Sequence, residues 1–234
     1  MNKQKGKLIV IEGSDGSGKS TQLALLKNYL KKKHYPVQTY KFPDYEAFFG
    51  RMIGAYLRGE YGDLQTVNPY LISVIYAQDR AQSKKKLDEW INNGNILLLD
   101  RYVPSNLAHQ CGRLPRSERE KFLKWESELE YTINKIPRED IVIYLHIPYK
   151  VSMRLLDNHN RPGHTYAKGQ KKDIVEKNEE YLQRSEETYN WLAEKFSHWV
   201  TVECIDEKGS LKSKEDIHEE VKQIVRKKGM FSPY

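Results

Sequence analysis

Short apolar runs recur along this chain, separated by longer stretches in which apolar residues return every third or fourth position. The runs at 7–12, 37–42, 95–102, 141–147 and 199–205 are rich in aliphatic and β-branched residues and predict strands. They are apolar on both faces, as strands are when helices cover a parallel sheet on each side. The expected architecture is α/β and doubly wound, with helices between the strands.

Two longer periods stand out. Asn68 is a good N-cap, Pro69 suits a first turn and Gly94 marks a stop, so one long helix is expected from Pro69, with Tyr76 and Arg80 one turn apart on it. A second helix is expected over 174–196, where Ile174, Tyr181, Leu182, Tyr189, Leu192 and Phe196 keep a helical spacing. Just before it, DNHNRPGHTYAKGQKK at 157–172 is polar, basic and rich in turn formers, and is expected to be a mobile loop.

GSDGSGKST at 13–21 joins the first strand to the helical stretch LALLKNYLKKK. Gly13-x-x-x-x-Gly18-Lys19-Ser20 satisfies the P-loop pattern, in which glycines let backbone N–H groups surround phosphate oxygens at a helix N-terminus. The candidate ATP-binding residues are therefore Gly13, Ser14, Asp15, Gly16, Ser17, Gly18, Lys19, Ser20 and Thr21. Lys19 would neutralise the β- and γ-phosphates, and Ser20 would reach Mg2+. An ordinary glycine turn would also have to account for the strand before it and the helix after it.

A P-loop alone does not separate a switch GTPase, a motor ATPase and a small-molecule kinase. A GTPase needs a base-reading Asn-Lys-x-Asp, but Asn134-Lys135 runs on into Ile-Pro, and the Asp-x-x-Gly from Asp206 to Gly209 follows the last strand. Asp100 instead ends the buried run Ile96-Leu97-Leu98-Leu99, at the sheet edge where open α/β proteins bind ligands, and Arg101 follows it. Such a pair could coordinate a magnesium–water shell and bridge donor and acceptor phosphates, since phosphoryl transfer is promoted chiefly by positioning and positive charge. A structural ion pair at a strand end is the plainer alternative.

At 234 residues and 38% hydrophobic content, the chain supports one core, so a single domain over 1–234 is expected. The net charge of +7 suits polyanionic partners, yet KKK occurs at 31–33 and again at 84–86, and the remaining lysines are dispersed. That scatter reads as solvated helix faces, so no nucleic-acid partner is expected. Cys111 and Cys204 lack metal-ligand spacing and are expected to be reduced thiols. No run approaches a membrane span, and a soluble, cytoplasmic protein is expected.

With FPDY at 42–45, YAQDR at 76–80, DRYVPSN at 100–106 and DIVE at 173–176 following the P-loop in order, the sequence resembles the thymidylate kinases from residue 7 to about 200. The resemblance implies a five-stranded parallel sheet wrapped by helices, transfer of the γ-phosphoryl group of ATP to dTMP with Mg2+, and a homodimer. It implies that Asp15 approaches the deoxyribose 3′-hydroxyl and helps organise magnesium, and that Phe42 and Pro43 wall the acceptor. It places Tyr76 on the thymine face and Arg80 at the base edge, and it gives Ser105 and Asn106 the base and the neighbouring phosphate. Arg101 acts beside Lys19 on the transferring group, and Asp173 and Glu176 hold lid or magnesium, with Asp100 and Ser20 as further magnesium ligands.

Three positions depart from the family pattern. His109 stands where relatives often carry a tyrosine that crowds the 2′-position, which bears on sugar discrimination. Gly16 stands where some relatives carry a P-loop arginine, so the cation is expected from a lid at about 157–172, where Arg161, Lys168, Lys171 and Lys172 lie, with Arg154 upstream. Asp44 replaces an arginine that meets the acceptor phosphate, leaving Tyr45, Arg51 or Arg101 to do so. A kinase for another nucleotide or a deoxynucleoside, and a P-loop switch or ATP-dependent nucleic-acid-binding module, are the alternative functions.

Overall fold

The computed structural model describes residues 5–158 and 173–230. Each expected strand is present: β1 (Lys7–Glu12), β2 (Val37–Lys41), β3 (Ile96–Asp100), β4 (Ile141–His146) and β5 (Trp199–Glu203). They form one parallel five-stranded sheet in the order β2-β3-β1-β4-β5. The chain lays β2 and β3 on one side of β1 and β4 and β5 on the other. A crevice therefore opens at the carboxyl ends of the strands, where β1 feeds the P-loop.

Alternation along the strands builds two cores. Leu8, Val10, Leu97, Leu99, Val142 and Tyr144 face Leu87, Val103, Leu107, Phe122 and Leu192. Those partners come from α4 (Lys84–Asn92), α5 (Val103–Cys111), α6 (Arg116–Glu128) and α8 (Glu179–Lys195). Ile9, Ile11, Leu98, Ile143 and Leu145 face Leu26, Leu30, Val221 and Val225, from α1 (Lys19–Lys32) and α9 (Lys214–Lys227). Each buried aliphatic side chain contributes roughly 1.5–3 kcal/mol, against about 0–1 kcal/mol for an exposed ion pair, so the sheet is the rigid frame that fixes its loops. A third cluster joins Ile53, Tyr56 and Leu57 of α2 (Phe48–Leu57), Ile72 of α3 (Pro69–Gln82), and Val175 and Tyr181.

The helix expected from Pro69 is two helices. Asn68 Oδ1 does cap it, accepting from Tyr70 N at 2.8 Å. At Ser83, however, the backbone tightens: Ser83 N donates to Arg80 O at 3.0 Å, and Ser83 Oγ donates to the Tyr40 hydroxyl at 3.3 Å, so α3 ends and α4 begins. The second expected helix starts at Glu179 rather than 174, because Asn178 Oδ1 accepts from Tyr181 N at 2.9 Å and a separate turn precedes it. A π-helical turn, Leu129–Ile133, prolongs α6, and α7 (Tyr149–Asn158) follows β4.

Cys111 and Cys204 are buried and unpaired, and burial pushes both thiols up to about 12. Among the described residues no helix is long and apolar enough to cross a membrane.

Candidate active site

The P-loop needs glycine where the chain turns tightest. Gly13 sits at φ 145°, and a Cβ there would lie 2.6 Å from the Leu145 carbonyl oxygen and 2.7 Å from Ser17 Oγ. Gly16 and Gly18 also adopt positive φ, and Gly18 leads directly into α1. Lys19 is buried and folds back over the loop, with Nζ donating to Gly13 O at 3.0 Å and Ser14 O at 2.8 Å. Burial, then the nearby Arg101 charge, push its ammonium down. The Ser14 and Ser17 hydroxyls are buried without a partner among the described residues.

Beside the loop, Ser20 Oγ donates to Asp100 Oδ2 at 2.8 Å, while Asp100 Oδ1 is buried with no partner among the described residues. A hydroxyl and a carboxylate oxygen left unpaired suit a hard divalent cation. Thr21 is exposed. Asp15 lies 3.5 Å from Lys19 Nζ and accepts from Arg101 Nη2 at 2.5 Å. Burial raises its carboxyl pKa, but Arg101 and Lys19 outweigh this and hold it well below the usual range.

Asp173 and Glu176 lie in the turn that precedes α8. Asp173 Oδ1 accepts from Val175 N at 2.9 Å and Glu176 N at 2.8 Å, and Glu176 Oε2 accepts from Asp173 N at 3.1 Å. The two carboxylates cap their own turn in the manner of a reciprocal helix cap. They are not brought beside Ser20 and Asp100; Asp173 borders the neighbouring cleft instead. Arg161, Lys168, Lys171 and Lys172 lie outside the described residues. Arg154 is exposed and donates to Lys150 O at 3.2 Å.

A cleft adjoins the P-loop at Asp15. The end of β2 contributes Phe42, Pro43 and Tyr45, α3 contributes Tyr76 and Arg80, and the segment after β3 contributes Arg101, Ser105, Asn106 and His109. One turn of α3 thus sets Tyr76 and Arg80 side by side, as the spacing predicts. Arg80 is almost fully buried, and its Nε donates to Glu130 Oε1 at 2.9 Å while Nη2 bonds the same oxygen.

Ser105 is committed elsewhere than to a base: its hydroxyl donates to Glu12 Oε2 at 2.6 Å and accepts from Arg101 Nη1 at 3.1 Å. His109 Nε2 lies 3.4 Å from Arg101 Nη1, and its ring stacks on Tyr181 with centroids 5.7 Å apart. Burial, then Arg101, push its imidazole down to about 3, so it is neutral.

Asp44 turns away from the cleft. Its Oδ2 accepts from the Tyr40 hydroxyl at 2.5 Å and its Oδ1 from Glu46 N at 3.2 Å. Arg51 donates to Glu46 O at 2.6 Å and lies over the Phe48 ring, outside the cleft lining. The cation that does border both the cleft and the adjoining groove by Ser20 is Lys41, which the sequence reading passed over.

Glu12 was passed over as well. It is fully buried, and its two oxygens accept from Tyr102 N at 2.9 Å, Ser105 N at 3.1 Å, Ser105 Oγ at 2.6 Å and the Tyr189 hydroxyl at 2.9 Å. Its signal was the one that marked Asp100: an acid closing an apolar strand.

A sequence family described as "Thymidylate kinase" matches residues 11–221. The chain is 31% identical to thymidylate kinase of Schizosaccharomyces pombe over 227 residues, covering 96% of this chain and 94% of that protein. It is 31% identical to thymidylate kinase of Mycobacterium tuberculosis over 187 residues, 80% of this chain and 85% of the relative. A solved structure of thymidylate kinase from Candida albicans superposes with a TM-score of 0.74 at 18% identity, covering 97% of this chain and 93% of that one, a likeness of fold.

Proposed function

The chain belongs to the thymidylate kinase family and transfers the γ-phosphoryl group of ATP to dTMP, giving dTDP and ADP, and we propose that the two nucleotides meet where Arg101 joins the P-loop to the cleft. One observation carries this assignment: the Arg101 guanidinium is hydrogen-bonded to Asp15 inside the P-loop and at the same time lines the acceptor cleft.

In this reading the P-loop N–H groups and Lys19 hold the ATP phosphates, and the cleft holds dTMP with its base against Tyr76. Arg80 and Asn106 read the base edge, Phe42 and Pro43 wall the nucleotide, and Asp15 lies toward the sugar. Lys41 and Arg101 supply the positive charge at the acceptor phosphate that Asp44 cannot. Ser20 and Asp100 would hold Mg2+, which when bound neutralises charge on the β- and γ-phosphoryl oxygens. The acceptor phosphate is anionic at neutral pH and attacks in line, so the protein's work is positioning and charge stabilisation rather than proton abstraction.

The chain acts as one P-loop kinase domain, with 157–172 as a lid bringing Arg161 or a neighbouring cation to the transferring group. It pairs as a homodimer; the exposed apolar side chains of Leu71 (68%) on α3 and Ile133 (64%) on the 129–133 turn support this. Sedimentation would read a dimer that Leu71→Lys weakens.

The test of the function is ADP release with dTMP, dUMP, dGMP, UMP and thymidine as acceptors. Turnover with dTMP that collapses in Lys19→Ala and Arg101→Ala is expected. Full activity in both variants, or phosphorylation of thymidine alone, would sink the site assignment.

A further inference from the structure

Asn106 carries an orientation that the structure makes legible. Its side chain is buried, with 3% of the residue exposed, and it borders the cleft. Nδ2 lies 2.5 Å from Glu126 Oε1 and 3.3 Å from the Ser73 carbonyl oxygen. A carboxamide has a donor end and an acceptor end that are otherwise interchangeable in shape. A backbone carbonyl can only accept, so the end facing Ser73 is the NH2. Oδ1 is thereby left buried with no partner among the described residues. Buried acceptors are rarely left unpaired, and one bordering a ligand cleft asks for a ligand donor.

The neighbouring donor completes a pattern. Arg80 presents only N–H groups, and Glu130, one turn beyond Glu126, fixes its guanidinium. Thymine and uracil offer a carbonyl acceptor at O4 beside a donor at N3–H. Cytosine offers the reverse, an amino donor beside a bare N3 acceptor. Against Arg80 and an outward Asn106 Oδ1, the first edge pairs twice, and the second sets donor against donor and lone pair against lone pair.

Resting on the assignment of the cleft to dTMP, we propose that Glu126 is a positioning residue for base selection. Together with the Ser73 carbonyl it holds the Asn106 carboxamide acceptor-outward, so that the site takes a pyrimidine with an N3–H and rejects cytosine. Glu126 is not part of the cleft lining; it acts through Asn106 and, with the same Oε1 3.8 Å from Arg80 Nη2, supports Arg80 as well.

The electrostatic surroundings of Glu126 are consistent with the same arrangement. Burial, then the adjacent Glu130 carboxylate, push the Glu126 carboxyl pKa well above its usual range. Glutamine keeps the shape of the side chain, accepting from Asn106 with its oxygen and donating toward Glu130 with its amide. Leucine fills the same space but leaves Asn106 free to turn over.

The experiment compares kcat/KM for dTMP and dCMP, with ATP, in the native protein, Glu126→Gln and Glu126→Leu. A site built to hydrogen-bond its substrate discriminates by about 10⁴-fold, and native preference for dTMP on that order is expected. Glu126→Gln should keep the ratio within about threefold, and Glu126→Leu should lower it by about tenfold or more, chiefly through a raised KM for dTMP with KM for ATP unmoved.

An unchanged ratio in Glu126→Leu, or equal damage from both substitutions, overturns the proposal while leaving dTMP kinase activity intact. Native protein that turns over no dTMP overturns the cleft assignment and the proposal with it. Should Glu126→Leu not fold, the side-chain amide protons of Asn106 in native protein decide the matter, identified by NMR as the pair lost in Asn106→Ser. Slow exchange with solvent is expected, and rapid exchange overturns the proposal.

Discussion

Arg101 Nη2 donates to Asp15 Oδ1 at 2.5 Å, so a guanidinium at the end of β3 is tied to a carboxylate inside the P-loop. The tie holds a costly backbone: Arg101 sits at φ 66°, where a residue other than glycine is strained by roughly 1–3 kcal/mol. Its N–H donates to Ile11 O at 3.2 Å, which anchors that geometry on β1. Because the two side chains act as a unit, Asp15→Asn and Arg101→Lys should each lower kcat by about 10- to 100-fold, and the double variant should be little worse than the poorer single one. Steady-state kinetics on the three variants checks this; losses that multiply would show the two residues acting independently.

Ser20 and Asp100 share one hydrogen bond and leave one carboxylate oxygen unpaired among the described residues, whereas Asp173 and Glu176 turn their carboxylates on their own backbone. Asp100→Asn should therefore raise the Mg2+ concentration giving half-maximal activity by about tenfold, with little change in ATP binding measured without Mg2+. Asp173→Asn, which keeps an oxygen to accept from its turn, should leave the Mg2+ dependence where it is. Equal Mg2+ shifts in both variants would return Asp173 to the metal site.

His109 makes a pH prediction with a definite sign. Burial and the Arg101 charge lower its pKa from 6.5 to about 3. Between those values the unfolded chain binds a proton there that the folded protein does not. This group's contribution to stability is complete above pH 6.5 and is lost progressively as pH falls toward 3, with a slope of at most about 1.4 kcal/mol per pH unit. His109→Phe keeps a ring against Tyr181 and removes the titration. Urea unfolding should show the native protein losing ground to that variant between pH 7.5 and 5; a difference that stays constant with pH contradicts the assignment.

What the sequence made legible and what it hid divide along physical lines. The strands could be read because burial on both faces leaves a contiguous apolar run, and the P-loop because its chemistry is held in nine consecutive residues at 13–21. The break at Ser83 could not, since it depends on a hydroxyl brought from β2 by Tyr40. Arg80 looked free to meet a ligand, but Glu130, far along the chain, holds its guanidinium. Of the three candidates to replace a missing arginine, Tyr45 and Arg101 line the cleft, whereas α2 lays Arg51 over Phe48, and Lys41 borders the cleft as well. Asp173 and Glu176 have a spacing that serves a metal or a capped turn equally well, and the hydrogen bonds that Asp173 Oδ1 and Glu176 Oε2 accept from their own turn are not legible in it.

Glu12 provides the strongest prediction on stability. Four donors converge on its two oxygens: two backbone N–H groups and the hydroxyls of Ser105 and Tyr189. Burial raises its carboxyl pKa, and Arg101 with these hydrogen bonds pulls it back only in part. Glu12→Ala would strand the N–H group of Tyr102 in a dry interior, at a cost of about 1–3 kcal/mol, while the Ser105 N–H keeps the Tyr102 carbonyl oxygen at 3.2 Å. Glu12→Gln keeps one oxygen for the two N–H groups and turns an amide toward two hydroxyls, each of which can rotate to accept. Thermal unfolding should therefore separate the variants: Tm falling by roughly 2–12 °C for alanine and by less for glutamine, at about 2–4 °C per kcal/mol for a chain of this size. Because Ser105 also accepts from Arg101, kcat should fall with Tm in Glu12→Ala and stay near native in Glu12→Gln. A loss of equal size in both would mean that the negative charge, and not the set of accepted hydrogen bonds, is what this strand end supplies.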